Sequence, residues 1–381
     1  MVLGLQFALG ALYLLKTVPG NAPDEPAHFF NAESLASGRL PQVDLPAQRW
    51  SYEAFQPPLY YALAAPLLRL SPGAPHAWRV RLLRGQNLLF ALLNVALVFL
   101  LARRLAGEEA GLCAAALAAF LPQYLFIGTS VSNDGLADLC ASAVLLLAAR
   151  GLARPASWAE GAWLGLAMGL ALLTKATTAS VIAAYALVCA VNHARRPQEL
   201  LLRLVWPSAL AAAAAVWPYL RNVKLYGDLS GRASMSYESA MHGSELGHWL
   251  KLVFESFWGL FGWMTSPLPA AAYLALAGLT LLGLAGFAFW ARGRRLRQDP
   301  AWQLQLAAVA AAAGLTFCYG FLNTRQPQGR FLFPALGPIA LILALGWRSF
   351  WEIIPERLRG RAGAGLCAAA AGLHWLCWRA L

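Results

Sequence analysis

The chain has 381 residues, of which 59% are hydrophobic and 13% charged, against about a quarter charged in a soluble chain. The net charge of +12 is spread through loops rather than gathered in a basic arm, so it reads as membrane anchoring and contact with anionic headgroups, with no nucleic acid partner. Apolar runs of transmembrane-helix length recur from end to end, and short alternating segments are lacking, so a β-barrel is excluded.

The pattern predicts an all-α polytopic membrane protein with about eleven transmembrane helices. In chain order these fall near 2–18, 85–102, 110–128, 133–150, 159–174, 176–193, 201–219, 268–291, 301–321, 331–349 and 363–380. The first run lacks a basic leader and a small-residue cleavage site, so it is expected to be a retained helix. No sizeable outer domain is expected after the last. Two long connections, 19–84 and 220–267, interrupt an otherwise short-looped single catalytic domain over 1–381. The first contains AQRWSYEAFQPPLYYALAAPLLRL (47–70), expected to include a short helix lying on the membrane. The second contains HWLKLVFESFWGLFGWM (248–264), where Leu250, Val253, Phe254, Phe257, Leu260 and Phe261 form a helical stripe. That segment is expected to lie in the interface plane, with Trp249, Trp258 and Trp263 at headgroup level.

Orientation follows from short loops. One set carries Arg103, Arg104, Arg150, Arg154, Arg195, Arg196, Arg292, Arg294, Arg295, Arg297, Arg357, Arg359 and Arg361, whereas the opposite set is nearly free of arginine. Both long loops then face outward from the plasma (inner) membrane, towards the periplasm or exterior. Scarce lysine beside abundant arginine and alanine fits a GC-rich bacterial genome. The six cysteines sit inside apolar runs without metal-like spacing and read as small core residues.

Asp24, Glu25, Glu33, Asp44, Glu53, Asp134, Asp138, Asp228, Glu238, Glu245 and Glu255 all fall on the outward side, while the spans are nearly free of charge at mid-depth. An ion-coupled carrier is expected to hold carboxylates near the midplane. Carboxylates gathered at one surface fit an outward active site better.

Asp24 and Glu25, in NAPDEPAHFF, stand directly after the first span, where a fixed carboxylate could serve as general base. The plainer alternative is that Asp24 caps the helix beginning near Pro26. His28 nearby is an ordinary packing or hydrogen-bonding candidate. SVSNDGLADL supplies Asp134 at the start of the fourth span and Asp138 one turn deeper. YEAFQPPLYY supplies Glu53, Gln56 and Tyr60 around a rigid Pro-Pro. Lys175, in a tight turn, and Arg330, before the tenth span, are candidate phosphate ligands, with Arg81 and Arg84 less specific. Interface anchoring is the alternative for each cation. Carboxylates, cations and aromatics on one side suit a lipid-linked phosphosugar.

The ordered set PDEPAHFFNAESLASGRLP, YEAFQPPLYY, SND, ALLTK, RNVKLYGD, ESFWGLFGWM and QGRFLFPALGP resembles the GT-C superfamily of polyprenyl-phosphate-dependent glycosyltransferases. The nearest branch is that of protein O-mannosyltransferases and lipid A aminoarabinose transferases. The resemblance implies a catalytic base at Asp24, with Glu25 beside it, and a second outer carboxylate at Asp134. It also implies inverting transfer from a polyprenyl-phosphate sugar to a hydroxyl on a lipid, glycan or protein acceptor. Gln56 stands where aminoarabinose transferases tend to have Lys, which shifts the phosphate contact towards Lys175, Arg330 or Arg81. No cofactor is required, although some superfamily members use a divalent metal. A flippase for lipid-linked sugars and a non-catalytic scaffold subunit are the competing readings, and neither has an evident use for Asp24 and Glu25.

Overall fold

A computed structural model describes residues 1–45, 47–231, 243–351 and 354–381; Glu238 and the middle of the second long loop lie outside these. The described chain is helical apart from one two-residue hairpin. It opens with α1 (Val2–Lys16), α2 (Glu25–Ala36) and α3 (Leu59–Arg69), then the 31-residue α4 (His76–Ala106). Helices α5 (Glu108–Phe120) and α6 (Pro122–Gly128) meet at an angle of 64°. The helices α7 (Asp134–Leu152), α8 (Trp158–Thr174), α9 (Ala179–His193), α10 (Pro197–Leu200) and α11 (Trp206–Tyr226) follow. The C-terminal part comprises α12 (Leu246–Trp258), α13 (Ala270–Ala291), α14 (Pro300–Phe317), α15 (Leu336–Trp351) and α16 (Glu356–Ala380).

Seven helical segments among the described residues are long and apolar enough to cross a membrane, or eight if bent α5–α6 is one span. This is the architecture of a multi-pass membrane protein, but it does not reach the expected eleven. Helices α1 and α8, at 15 and 17 residues, fall short of the roughly 20 residues that a bilayer core requires. The run expected at 110–128 is broken because Pro122 begins a new helix. The run at 363–380 lies within α16, which is not among the seven.

The two long loops fold against the bundle. Residues 47–70 form a 3₁₀ turn, Arg49–Glu53, and then α3 after the Pro57-Pro58 break. Tyr60, Tyr61, Ala64 and Leu68 of α3 are buried, and α3 packs against α2, α4 and α8. The helix expected through Met264 stops at Trp258, because Gly259 leads into the strand β1 (Leu260–Phe261), paired antiparallel with β2 (Ser266–Pro267). Gly262 and Met264 in that turn have φ of 61° and 62°, which a continuing helix cannot accommodate. Trp249 and Trp258 are buried, Trp249 edge-on against Phe317 and Phe321, so of the three tryptophans only Trp263 is substantially exposed. Three cysteines are buried, while Cys113, Cys318 and Cys367 are exposed.

The ends of several elements are tied by one buried ion pair. Arg84 of α4 donates Nε and Nη2 to the Glu25 carboxylate at 2.8 and 2.7 Å. Its remaining donors satisfy the carbonyls of Leu14, Thr17 and Val18, the orphan acceptors at the end of α1. Glu25 also accepts from the backbone N–H of Gly20 and Val131, at 2.7 and 2.9 Å. Both partners are buried, at 0% and 1% exposure. Removing one partner strands the other, at a cost of about 3–5 kcal/mol. Arg84→Met and Glu25→Gln should each destabilise the protein in detergent by a free energy of that order, read as a lowered melting temperature. The double variant should lose less than the sum; wild-type melting in both single variants would contradict this role.

Candidate active site

A cavity of about 210 Å³ lies where the loops before α2, α3 and α15 meet α11 and the break between α8 and α9. Asp24, His28, Glu53, Gln56, Lys175 and Arg330 all line it.

Asp24 sits at the N-terminal boundary of α2 with φ of 61°, a left-handed position that Asp tolerates better than most residues. Its side chain makes no helix-capping bond. Instead Oδ2 pairs with Arg330 Nη2 at 2.5 Å, and Oδ1 accepts from the Tyr52 hydroxyl at 3.1 Å. Capping is therefore not what holds this carboxylate in place.

Arg330 comes from the 3₁₀ segment Gly329–Ala335 that leads into α15. That segment is clamped by α12: the Gly329 N–H donates to Ser256 Oγ at 2.8 Å, and a Cβ at Gly329 would strike the backbone of Val253 and Phe257. Arg330 bridges two carboxylates, its Nη1 reaching Asp134 Oδ2 at 3.3 Å. Asp134 also holds Lys175 Nζ at 2.5 Å and accepts from Ser132 Oγ at 2.9 Å. Lys175 occupies an extended residue between α8 and a 3₁₀ turn. The resulting Asp24–Arg330–Asp134–Lys175 chain alternates negative and positive side chains across four segments remote in sequence.

The floor of the site is fixed by amides. Asn87 donates to the carbonyls of Ser130 and Ser132 and to the Tyr60 hydroxyl. Asn133 donates to the Thr174 carbonyl at 3.1 Å and to Gln56 Oε1 at 3.3 Å. Gln56 in turn donates to Glu53 Oε2 at 2.6 Å. His28 shares a hydrogen bond of 2.7 Å with Tyr61.

Burial works to raise the Asp24 carboxyl, but the Arg330 guanidinium holds it below the usual carboxylate range. Glu53 moves the other way: burial, and then the neighbouring Asp24 charge, push it up to about 7. Burial and the Lys175 cation push His28 down to about 4, leaving a neutral imidazole. Burial raises the Tyr52 hydroxyl, which stays protonated as a donor to Asp24.

Other expected site residues lie elsewhere. Glu25 and Arg84 turn away from the cavity and are spent on the interior pair. Tyr60 is buried beneath it, Arg81 is exposed on α4, and Asp138 is buried one turn below Asp134 with Oδ2 unpartnered. Conversely, Tyr219, Asn222, Tyr319 and Gln326 line the cavity without having been singled out. Tyr219 and Asn222 were open to detection, since they are three residues apart on one face of α11 beside RNVKLYGD. Among the described residues no group of three or more His, Cys, Asp or Glu is placed to hold a metal ion.

Glu53 yields a pH test of the site. Its unfolded carboxyl loses a proton near the ordinary 4.5, while the folded one keeps it to about 7. Between those values the folded state binds more protons, so this group's stabilisation is complete below 4.5 and is lost as pH rises towards 7. Glu53→Gln should remove this component, so the melting-temperature difference between wild type and variant should change across that window. A constant difference would contradict the upward shift.

Residues 56–221 match the family described as dolichyl-phosphate-mannose-protein mannosyltransferase. The chain also resembles the crystal structure of ArnT from Cupriavidus metallidurans bound to undecaprenyl phosphate, with a TM-score of 0.63 and 16% identity over 97% of this chain and 63% of that one. A second likeness is to an Archaeoglobus fulgidus oligosaccharyltransferase in complex with zinc and sulfate, with a TM-score of 0.60 and 16% identity over 100% of this chain and 53% of that one. A third is to AglB from the same organism with an inhibitory peptide and a dolichol-phosphate, with a TM-score of 0.54 and 13% identity over 99% and 55% of the two chains. The present chain thus spans less than two thirds of the length of these structures. No curated protein sequence matches it. These findings bear out the resemblance to the GT-C superfamily and establish the fold.

Proposed function

We propose that this GT-C-fold membrane protein is an inverting glycosyltransferase that moves a sugar from a polyprenyl-phosphate donor to a hydroxyl acceptor. The observation that carries the reading is that Asp24, Arg330 and Lys175 line one cavity, with Asp134 paired to both cations. The matched family and the ligands bound in the similar structures, undecaprenyl phosphate and dolichol-phosphate, support the donor class.

In this reading the donor phosphate enters beside Arg330 and Lys175, which neutralise the charge that develops as the C1–O bond breaks. The acceptor oxygen attacks C1 from the opposite face, forming the new glycosidic bond. Its proton passes to Asp24, and polyprenyl phosphate leaves without needing a proton. A base whose affinity for protons is depressed by Arg330 is a poor base. A phosphate that draws the guanidinium towards itself relieves that depression, so donor binding itself prepares Asp24. Asp134 positions both cations. Two side-chain cations supply the positive charge at the leaving group. The whole of 1–381 acts as one catalytic domain, with lipid, glycan or protein as the acceptor.

Transfer and donor binding measured on three purified variants test this. Asp24→Asn should bind donor yet lose about 10²- to 10⁴-fold in turnover. Arg330→Gln and Lys175→Gln should lower kcat/KM for donor by about ten- to a hundredfold, the worth of a charge-assisted hydrogen bond. Near-normal transfer by Asp24→Asn would overturn its role as base, and unchanged donor kinetics in both cation variants would move the phosphate elsewhere.

The reading places the cavity on the outer face of the inner membrane, supported by the arginine-rich short loops opposite it. A cysteine at exposed Arg39 should label from outside intact cells, and one at exposed Arg294 should not. The reverse pattern would overturn the orientation.

A further inference from the structure

A second cavity, of about 650 Å³, opens at the other end of the bundle. It is lined by Leu105 and Ala106 of α4, Trp290 of α13, Arg294 and Arg295 in the following turn, and Arg348 of α15, with Asp299 and Trp302 opposite. Leu105 lies eighteen residues beyond Asn87 along α4, about 27 Å at 1.5 Å per residue. This pocket is therefore separate from the Asp24 cavity, and nothing in the proposed transfer uses it.

Arginines at the ends of apolar helices are expected from membrane anchoring alone, but anchoring does not require a concavity. Here the walls are shaped. Trp290 and Trp302 stand with ring centroids 5.4 Å apart, and the Arg294 guanidinium lies over the Trp290 ring at 4.3 Å while its Nε donates to the Trp290 carbonyl at 3.0 Å. Arg348 is shared with Glu109, at 2.8 Å. Asp299 is directed to the start of α14, where it accepts from the Ala301 N–H at 2.9 Å. Arg295 has no carboxylate partner among the described residues. Two arginines thus reach a cavity whose lining carboxylate is occupied elsewhere, and its position at the ends of α4, α13 and α15 is where lipid headgroups lie.

We propose that this cavity binds the phosphate of an anionic phospholipid headgroup, with Arg294 and Arg295 as its ligands and the two tryptophans as the walls against which the glycerol backbone rests. Basic pockets between transmembrane helices are suited to such headgroups because guanidinium forks match phosphate oxygens and aromatic rings settle at the interface. Bound lipid would brace the α13–α14 turn against α4 and α15.

The test uses the purified full-length chain in detergent, titrated with phosphatidylglycerol, phosphatidylcholine or inorganic phosphate and followed by native mass spectrometry. One phosphatidylglycerol should bind at least about tenfold more tightly than phosphatidylcholine, whose phosphate is the same but whose quaternary ammonium would be repelled by the two guanidiniums, a difference of about 1.4 kcal/mol. Arg294→Gln/Arg295→Gln, at exposed positions, should erase that preference while leaving the lipid-free melting temperature unchanged. Equal affinity for the two lipids, or a preference retained by the double variant, would overturn the site. Inorganic phosphate binding as tightly as phosphatidylglycerol would overturn the assignment to a lipid.

Discussion

The Glu25–Arg84 pair is the constraint on which the rest of the candidate site depends. A carboxylate and a guanidinium without water must satisfy nearly every donor and acceptor they own, and here they do so by gathering backbone from three places. The end of α1, the start of α2 and the turn before α7 are thereby held to one point on α4. Asp24 is the residue before Glu25, and Asp134 lies three residues after Val131. The positions of both carboxylates that hold Arg330 are consequences of a pair that never faces the cavity.

A similar economy governs the cations. Arg330 would be costly to bury alone, and Asp24 with Asp134 would repel each other if nothing lay between them. Each makes the other tolerable, and Lys175 completes the alternation. The four side chains satisfy one another, and in the proposed reaction a phosphate would compete for both cations. The neutral His28 and the partly protonated Glu53 keep further charge out of the cavity.

Much of this was legible in the sequence. Low charge and recurring apolar runs point to a polytopic helical chain, and one-sided carboxylates point to a surface site. What composition cannot convey is the direction of a side chain. Asp24 and Glu25 are adjacent and chemically alike, but successive residues at a helix start point in different directions, so one meets the cavity and the other the interior. Arg84 looked like an interface anchor because its partner is 59 positions away. The stripe through Phe261 resembled one helix because apolar periodicity persists past Gly259, whereas the backbone turns there to form β1. The expected eleven spans exceed the seven or eight segments that are long and apolar enough among the described residues because α1 and α8 are apolar but short, and Pro122 breaks a run that looks continuous. Tyr319 and Gln326 were invisible as site residues because their placement depends on how the π-helical end of α14 returns towards Arg330.

The central claim is that Arg330 and Lys175 receive the donor phosphate beside Asp24. A density map of the chain with a bound polyprenyl phosphate tests it most directly. The account predicts phosphate oxygens within about 3 Å of the Arg330 guanidinium and the Lys175 ammonium, with the Asp24 carboxylate facing the same space. A phosphate seated outside this cavity, with Arg330 still bound to both carboxylates, would contradict it.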